Sequence, residues 1–283
     1  MSTAALQRLR ALRGQAGVSA PSPAPSTARE RTLEELRRLL RVRAPEGVPA
    51  PRSLDRTLPG EEIAPGLFRH DAIVPMEPAP GWLCGAFDRR DAFALEDVVC
   101  FDTETTGLAG GTGTRAFMIG AARWRDGRLH LRQWLMASTS AEPALLTAFA
   151  DWLEPQSVLA SYNGKCYDAP LLATRYRLSR LRNPLEGLPH VDLLYPSRRR
   201  WRGRWENCRL ATIEHRVLGV VREDDLPGSE APAAWLRYLR GGSAHDLRRV
   251  AEHNHQDLVS LARLLVHLSA LGGTDGAARD LDI

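Results

Sequence analysis

Apolar and polar positions follow two different periods along this chain. Val98-Val99-Cys100-Phe101 is an unbroken apolar run that ends in Thr105-Thr106-Gly107, the pattern of a buried strand running out into a turn. Residues two apart on a strand share a face, so Val98, Cys100, Asp102 and Glu104 fall on one side and Thr103 on the other. Arg115 to Trp124 and Leu129 to Met136 read as two more strands, and Asp126-Gly127 between them is a strong hairpin signal. The pattern then alternates: a helix from Ala141 to Leu153, a strand from Ser157 to Tyr162, a helix from Asp168 to Leu178 and a short strand from Val191 to Leu194. Farther on, Leu247, Val250, Asp257, Leu261, Leu264, Leu265 and Leu268 recur at helical spacings, one stripe of a single long helix. A hairpin followed by such alternation predicts an α/β fold, a mixed sheet with helices on its faces.

Polar residues interrupt this pattern where they are expensive. Two carboxylates projecting together from the lip of a core strand repel each other, and a shared cation removes that penalty. Taken alone, Asp102 and Glu104 read equally as a turn residue and a first-turn helix acid. Asp168 stands just before Ala169-Pro170, a helix start, so its plain role is an N-cap. A helix N-terminus beside a strand end also receives phosphate oxygens well, and Asn163 of the Asn163-Gly164 turn could donate an amide to one. Asp257 lies on the apolar stripe with His253 one turn earlier, so both face the core. There Asp257 needs a cation, or else the internal hydrogen bond from His253 that helical spacing permits. In order, Asp102, Glu104, Asp168, His253 and Asp257 read as a two-metal phosphodiesterase site. Such a site needs carboxylates to hold two divalent cations roughly 4 Å apart and a group that helps deprotonate the attacking water.

These residues carry a family resemblance. Phe101-Asp102-Thr103-Glu104-Thr105-Thr106-Gly107 and the glycine-rich stretch to Gly113, then Ser161-Tyr162-Asn163-Gly164-Lys165, Tyr167-Asp168, His253-Asn254 and Asp257 closely resemble the YprB-type branch of RNase H-like DEDD exonucleases, the mitomycin repair factor B-like nucleases. His190-Val191-Asp192-Leu193-Leu194 and Asp225-Leu226-Pro227-Gly228 are similar to the intervening motifs of that branch. The resemblance spans about residues 55 to 270. It implies a five-stranded RNase H-like mixed sheet and a 3'-to-5' exonuclease dependent on two Mg2+ or Mn2+ ions. It further implies that Asp102 bridges both metals, that Glu104 and Asp257 complete the first site, that Asp168 supports the second through water, and that His253 is the general base. His253 sits four residues before Asp257, the spacing at which related exonucleases place a tyrosine, whereas those with histidine usually place it five before. A helicase partner is also implied.

Composition adds milder bounds. A chain of 283 residues, 43% hydrophobic, buries one large core and leaves room for an appendage. The expected organisation is basic helices and a Pro-rich linker over 1–45, a small irregular or strand-rich lead-in segment packing on the nuclease domain over 46–95, the nuclease domain over 96–270 and a flexible tail over 271–283. Cys84, Cys100, Cys166 and Cys208 are dispersed, without paired zinc spacing, and read as free thiols in a reducing cytoplasm. No apolar run is long enough to cross a membrane, so no membrane partner is expected. A net charge of +4 suits an acidic partner such as nucleic acid, and with the resemblance the expected partner is DNA with a single strand or 3' overhang, or RNA. Arg198, Arg199, Arg200, Trp201, Arg202, Arg204 and Trp205 interleave cations with indoles, a composition suited to gripping phosphates and stacking bases. The same run also reads as a solvated helix end anchored by its tryptophans. Gly110-Gly111-Thr112-Gly113-Thr114 could bring backbone amides to a nucleotide, but it lacks the spacing and lysine of a P-loop. The residues expected to touch nucleic acid are Thr103, Gly111, Thr112, Asn163, Lys165, Arg199, Arg200, Trp201 and Arg202.

Overall fold

The computed structural model describes residues 54–107, 112–222 and 225–279, with side chains through 273. The predicted N-terminal helices and linker, and Gly110-Gly111, lie outside the described residues.

The centre of the fold is the strand β5, Val98–Thr105. It pairs antiparallel with β6, Ala116–Arg125, which pairs with β7, Arg128–Met136. Asp126 and Gly127 both have positive φ, 52° and 71°, the twist a two-residue hairpin needs. On its other side β5 pairs in parallel with β8, Val158–Ser161, and β8 with β9, His190–Asp192. These five strands are the mixed sheet the sequence predicts.

The sheet does not stop at five. The lead-in segment contributes β1, Glu61–Ala64, and β2, Leu67–Val74, and β2 pairs with β7 along its whole length from Leu67↔Met136 to Val74↔Leu129. The sheet thus has seven strands in the order β1-β2-β7-β6-β5-β8-β9. A hairpin fits here because β7 alternates on a sheet with an open edge, whose unpaired backbone groups would otherwise face solvent. Trp82–Leu83 (β3) and Phe93–Ala94 (β4) form a separate small ribbon.

Helices cover both faces. Val99 and Phe101 of β5 pack with Leu145 and Phe149 of α1, Glu142–Ala150, and with Leu172 and Tyr176 of α2, Asp168–Leu178. Val98 and Cys100 face the other way and pack with Val191, with Trp201 of α3, Leu194–Trp201, and with Leu258, Leu261, Leu265 and Leu268. A short α4, Leu210–Ile213, runs into a π turn at Glu214–Leu218, and α5, Ala231–Leu239, follows. The last helix, α6, runs from His245 to Arg279. It continues past Leu271 through most of the stretch expected to be a flexible tail. Gly272 lies so close to Phe87 that a Cβ there would stand 3.2 Å from its backbone nitrogen, a contact that holds this part of the helix against the domain.

Candidate active site

Four carboxylates meet at the end of β5 that runs past its partner β8. Beyond Cys100, β5 has no partner in β8, whose last registered pair is Cys100↔Ala160, while its pairing with β6 continues to Thr105, so one edge of the strand is open there. Asp102 and Glu104 project toward α6, the side set by the strand's alternation. Asp168 comes from the first turn of α2 and accepts a hydrogen bond from Thr103 Oγ1. It is the first residue of the helix, with Tyr167 at the cap position, so the simple N-cap reading does not hold. Asp257 comes from α6, on the stripe that packs the helix down.

What seats α6 at this point is a glycine. Gly120 on β6 is the cross-strand partner of Asp102. A Cβ there would meet Asn254 Oδ1 at 2.1 Å and Leu258 Cδ1 at 2.7 Å, so only glycine lets the helix lie this close. Asn254 is fully buried; its Nδ2 donates to Asp102 Oδ2 at 2.8 Å while Gln133 Nε2 donates to its Oδ1 at 2.9 Å. The amide therefore fixes the orientation of Asp102 from a helix fixed to the sheet. Gly120 carries a sequence signal, a lone glycine inside a strand, that marks close backbone approach. Gln133 carries none, because a polar residue on a strand ordinarily faces solvent.

Electrostatics follow from this convergence. Burial pushes the Asp102 carboxyl well above its ordinary range, and the charges of Asp257, Asp168 and Glu104 push it further. Glu104 is raised by burial and then by Asp257, Asp168 and Asp225. Burial lifts Asp168 to about 6, against the Thr103 hydrogen bond. Asp257 is raised by burial but relieved by His253 and Arg222. Arg222 is the cation that the sequence reading missed. Its guanidinium is held by buried Glu214, Nε to Oε2 at 2.9 Å and Nη2 to Oε1 at 2.5 Å, and donates onward to Asp257. It lies in an irregular segment, where no periodicity marks a residue as inward-facing.

Among the described residues no three His, Cys, Asp or Glu side chains are already posed as an ion cage. The donor set nevertheless fits hard divalent cations. Asp102, Glu104, Asp168 and Asp257 offer carboxylate oxygens only, the ligands Mg2+ and Mn2+ prefer. The repulsion that lifts Asp102 and Glu104 is the charge imbalance such ions remove.

A cleft of about 580 Å3 adjoins the carboxylates, lined by Asp102, Thr103, Asn163, Tyr167 and Asp168 among others. Asn163 has φ 69° and its backbone N–H is tied to Asp192 Oδ1 at 2.7 Å, with Lys165 N–H on the other oxygen at 3.1 Å. Buried Asp192 on β9 thus shapes the loop that presents Asn163. Lys165 is exposed beside the cleft. The ring of Tyr167, 57% exposed, was not foreseen. Thr112 is not among the residues lining the cleft; its carbonyl accepts from Arg175 Nη1 at 2.7 Å, and Gly111 lies outside the described residues.

The arginine and tryptophan run does not act as one surface. Trp201 is 6% exposed, buried in the core and stacked near Trp205 with ring centroids 5.8 Å apart, so it has no face for a base. Arg199 donates to the Phe87 carbonyl at 2.5 Å, and Arg200 is half-buried near His267. Arg202, which caps α3, is exposed and shares a shallow cleft with Arg198 and Trp205. Tyr162, which lines the main cleft, donates to the Cys208 carbonyl of that second cleft at 2.6 Å. All four cysteines are free thiols, and no helix among the described residues is long and apolar enough to cross a membrane.

The chain is similar to several known proteins. Over 170 residues the chain is 38% identical to Uncharacterized protein YprB of Bacillus subtilis (strain 168), covering 60% of this chain and 41% of that protein, less than half its length. Among solved structures it is similar to a family B DNA polymerase from Pyrobaculum calidifontis (17% identity, TM-score 0.47, 58% of this chain and 23% of that one). It is also similar to the Aedes aegypti Nibbler EXO domain (17%, TM-score 0.41, 61% and 81%) and to product-bound exonuclease I (14%, TM-score 0.38, 55% and 45%). The family model for the RNase_H superfamily matches residues 99–269, from the strand that carries Asp102 to the helix that carries Asp257, and the chain belongs to that superfamily.

Proposed function

We propose that this chain is a metal-dependent 3'-to-5' exonuclease that hydrolyses phosphodiester bonds of DNA at single-stranded ends or overhangs, in DNA repair and alongside a helicase. One observation carries the reading: four carboxylates from three separate elements converge at a strand end, where burial and the charges of Asp168 and Asp257 raise the pKa of Asp102 and Glu104. Asp102, Glu104 and Asp257 would hold one Mg2+ or Mn2+, and Asp102 with Asp168 a second. When bound, such ions activate a water and neutralise charge at the phosphorus. Asn254 holds Asp102 and Thr103 holds Asp168 in fixed orientations, so the ligands need little reorganisation. His253 takes the proton of the attacking water. Asn163 and Tyr167 in the cleft meet the terminal phosphate and base, and Arg198 and Arg202 extend the path for the strand. The direction of digestion is supported by the motif order shared with YprB-type DEDD exonucleases.

Purified protein with 3'-end-fluorescent and 5'-end-labelled DNA and RNA, with and without Mn2+, tests this. The expected result is a ladder of 5'-labelled DNA shortened one nucleotide at a time, abolished by EDTA. Discrete internal cuts would make the protein an endonuclease, and digestion of RNA alone a ribonuclease. No cleavage by a metal-loaded protein that binds DNA would leave a binding module.

A further inference from the structure

The motif Asp225-Leu226-Pro227-Gly228 lies outside the four-carboxylate set, and the fold brings it against His253. Leu226 is buried and anchors the loop in the core; the Pro227 carbonyl accepts from Glu230 N–H at 2.7 Å and turns the chain into α5. Just before the anchor, Asp225 Oδ1 stands 2.7 Å from His253 Nδ1. A Cβ on Gly228 would be 3.6 Å from His253 Nε2, so the loop flanks both ring nitrogens.

The contacts around the ring discriminate between its tautomers. Arg222 Nη1 is 3.1 Å from the same Nδ1 and 3.4 Å from Asp225 Oδ2. One ring nitrogen cannot both donate to Asp225 and accept from Arg222. The shorter contact decides: an unprotonated Nδ1 would set its lone pair against a carboxylate oxygen at 2.7 Å, whereas a protonated one makes a charge-assisted bond. Arg222 Nη1 then serves Asp225 Oδ2, and the Glu214 clamp on Arg222 steadies the acceptor. On the other side of the ring, Nε2 is 3.5 Å from Asp257 Oδ2, too long for a good hydrogen bond, so this contact does not hold the proton on Nε2.

We propose that Asp225 is the positioning residue of His253: it accepts the Nδ1 proton, fixes the ring's tautomer and rotation, and leaves the Nε2 lone pair as the base facing Asp257. A carboxylate that orients a working imidazole through its far nitrogen is a general device in metal and acyl-transfer sites. The inference rests on the nuclease reading for its kinetic consequence but not for its structural content.

The test has two arms on the full chain in Mg2+. In the first, 15N-histidine spectra at a pH about two units above the ordinary histidine value report which nitrogen of His253 carries hydrogen. Nδ1–H is expected in the wild type and a shift toward Nε2–H in Asp225→Ala. In the second, Asp225→Ala is expected to lower kcat about 10- to 100-fold with KM and Mg2+ affinity unchanged, and Asp225→Asn, which keeps an acceptor oxygen, to recover part of the loss. Nε2–H in the wild type, an unchanged kcat in Asp225→Ala, or a loss that follows weakened Mg2+ binding with the tautomer unaltered would each overturn the assignment. A wild type that cleaves no nucleic acid would sink the nuclease reading instead, and the spectra would still decide the Asp225–His253 pair.

Discussion

The end of β5 and the helix α3 are both dense in charge, and the fold uses them in opposite ways. At β5, Asp102 and Glu104 stay together and draw in Asp168 and Asp257 from two helices, because each sits on an element whose apolar face is buried and whose orientation is therefore fixed. At α3, neighbouring residues point around a helix and separate: Trp201 goes into the core, Arg199 to the Phe87 carbonyl, Arg200 toward His267, and Arg202 joins Arg198 on the outside. Spacing on a buried element predicts which side chains meet. Composition in a run does not.

The largest expected effect lies on the β5 side. Asp102→Ala should abolish hydrolysis while DNA binding survives and the metal-free protein melts no lower, since one of four repelling charges is gone. Residual activity of more than a few per cent, in a protein that still folds, would break the contrast. Next comes His253→Ala, expected to slow turnover about 10²- to 10⁴-fold without abolishing it. Full activity would reduce the imidazole to a packing group.

On the α3 side the expected losses are of another kind. Trp201→Ala should cost about 3 to 5 kcal/mol of stability by emptying a core site, read as a lower melting temperature, with the salt dependence of DNA binding unchanged. If it weakened binding and left the melt alone, Trp201 would be a base platform after all. Replacing Arg198 and Arg202 together should reduce the slope of log affinity against log salt by about 0.7 for each phosphate contact to single-stranded DNA. Replacing Arg199, whose guanidinium is already engaged, should change it little.

The smallest effect is a pH trend in the metal-free protein. Asp168 is lifted to about 6, and Asp102 and Glu104 are raised as well, so the folded state holds protons that the unfolded chain releases near its ordinary value of about 4. The Asp168 share of stability is intact below about pH 4 and is lost as pH climbs through 6. Thermal melts of wild type and Asp168→Asn should diverge over that window in EDTA and converge in Mg2+. Parallel curves in EDTA would mean that burial does not lift the Asp168 carboxyl.

Much of this was legible in the sequence where one signal governed one element. Asp126-Gly127 marked the hairpin, the leucine stripe marked α6, and alternation placed Asp102 beside Glu104. The hairpin β1–β2 was legible only as part of an irregular or strand-rich segment, because Pro65 and Gly66 mark a turn without saying what the flanking strands pair with. Asn254 stands next to His253 in the sequence, yet its hold on Asp102 depends on Gly120, a hundred and more residues away, and only the docked helix shows it. Arg222 and Asp225 sit in irregular backbone and Glu214 opens a single π turn, where no sustained period reports facing.

The central claim is that the four carboxylates form a divalent-cation site, and anomalous diffraction from crystals soaked in Mn2+ tests it most directly. The account predicts strong peaks bounded by Asp102, Glu104 and Asp257, and by Asp102 and Asp168, with the Arg222 guanidinium drawn back from Asp257. Manganese bound elsewhere, with these four side chains unliganded and Arg222 still on Asp257, would contradict it.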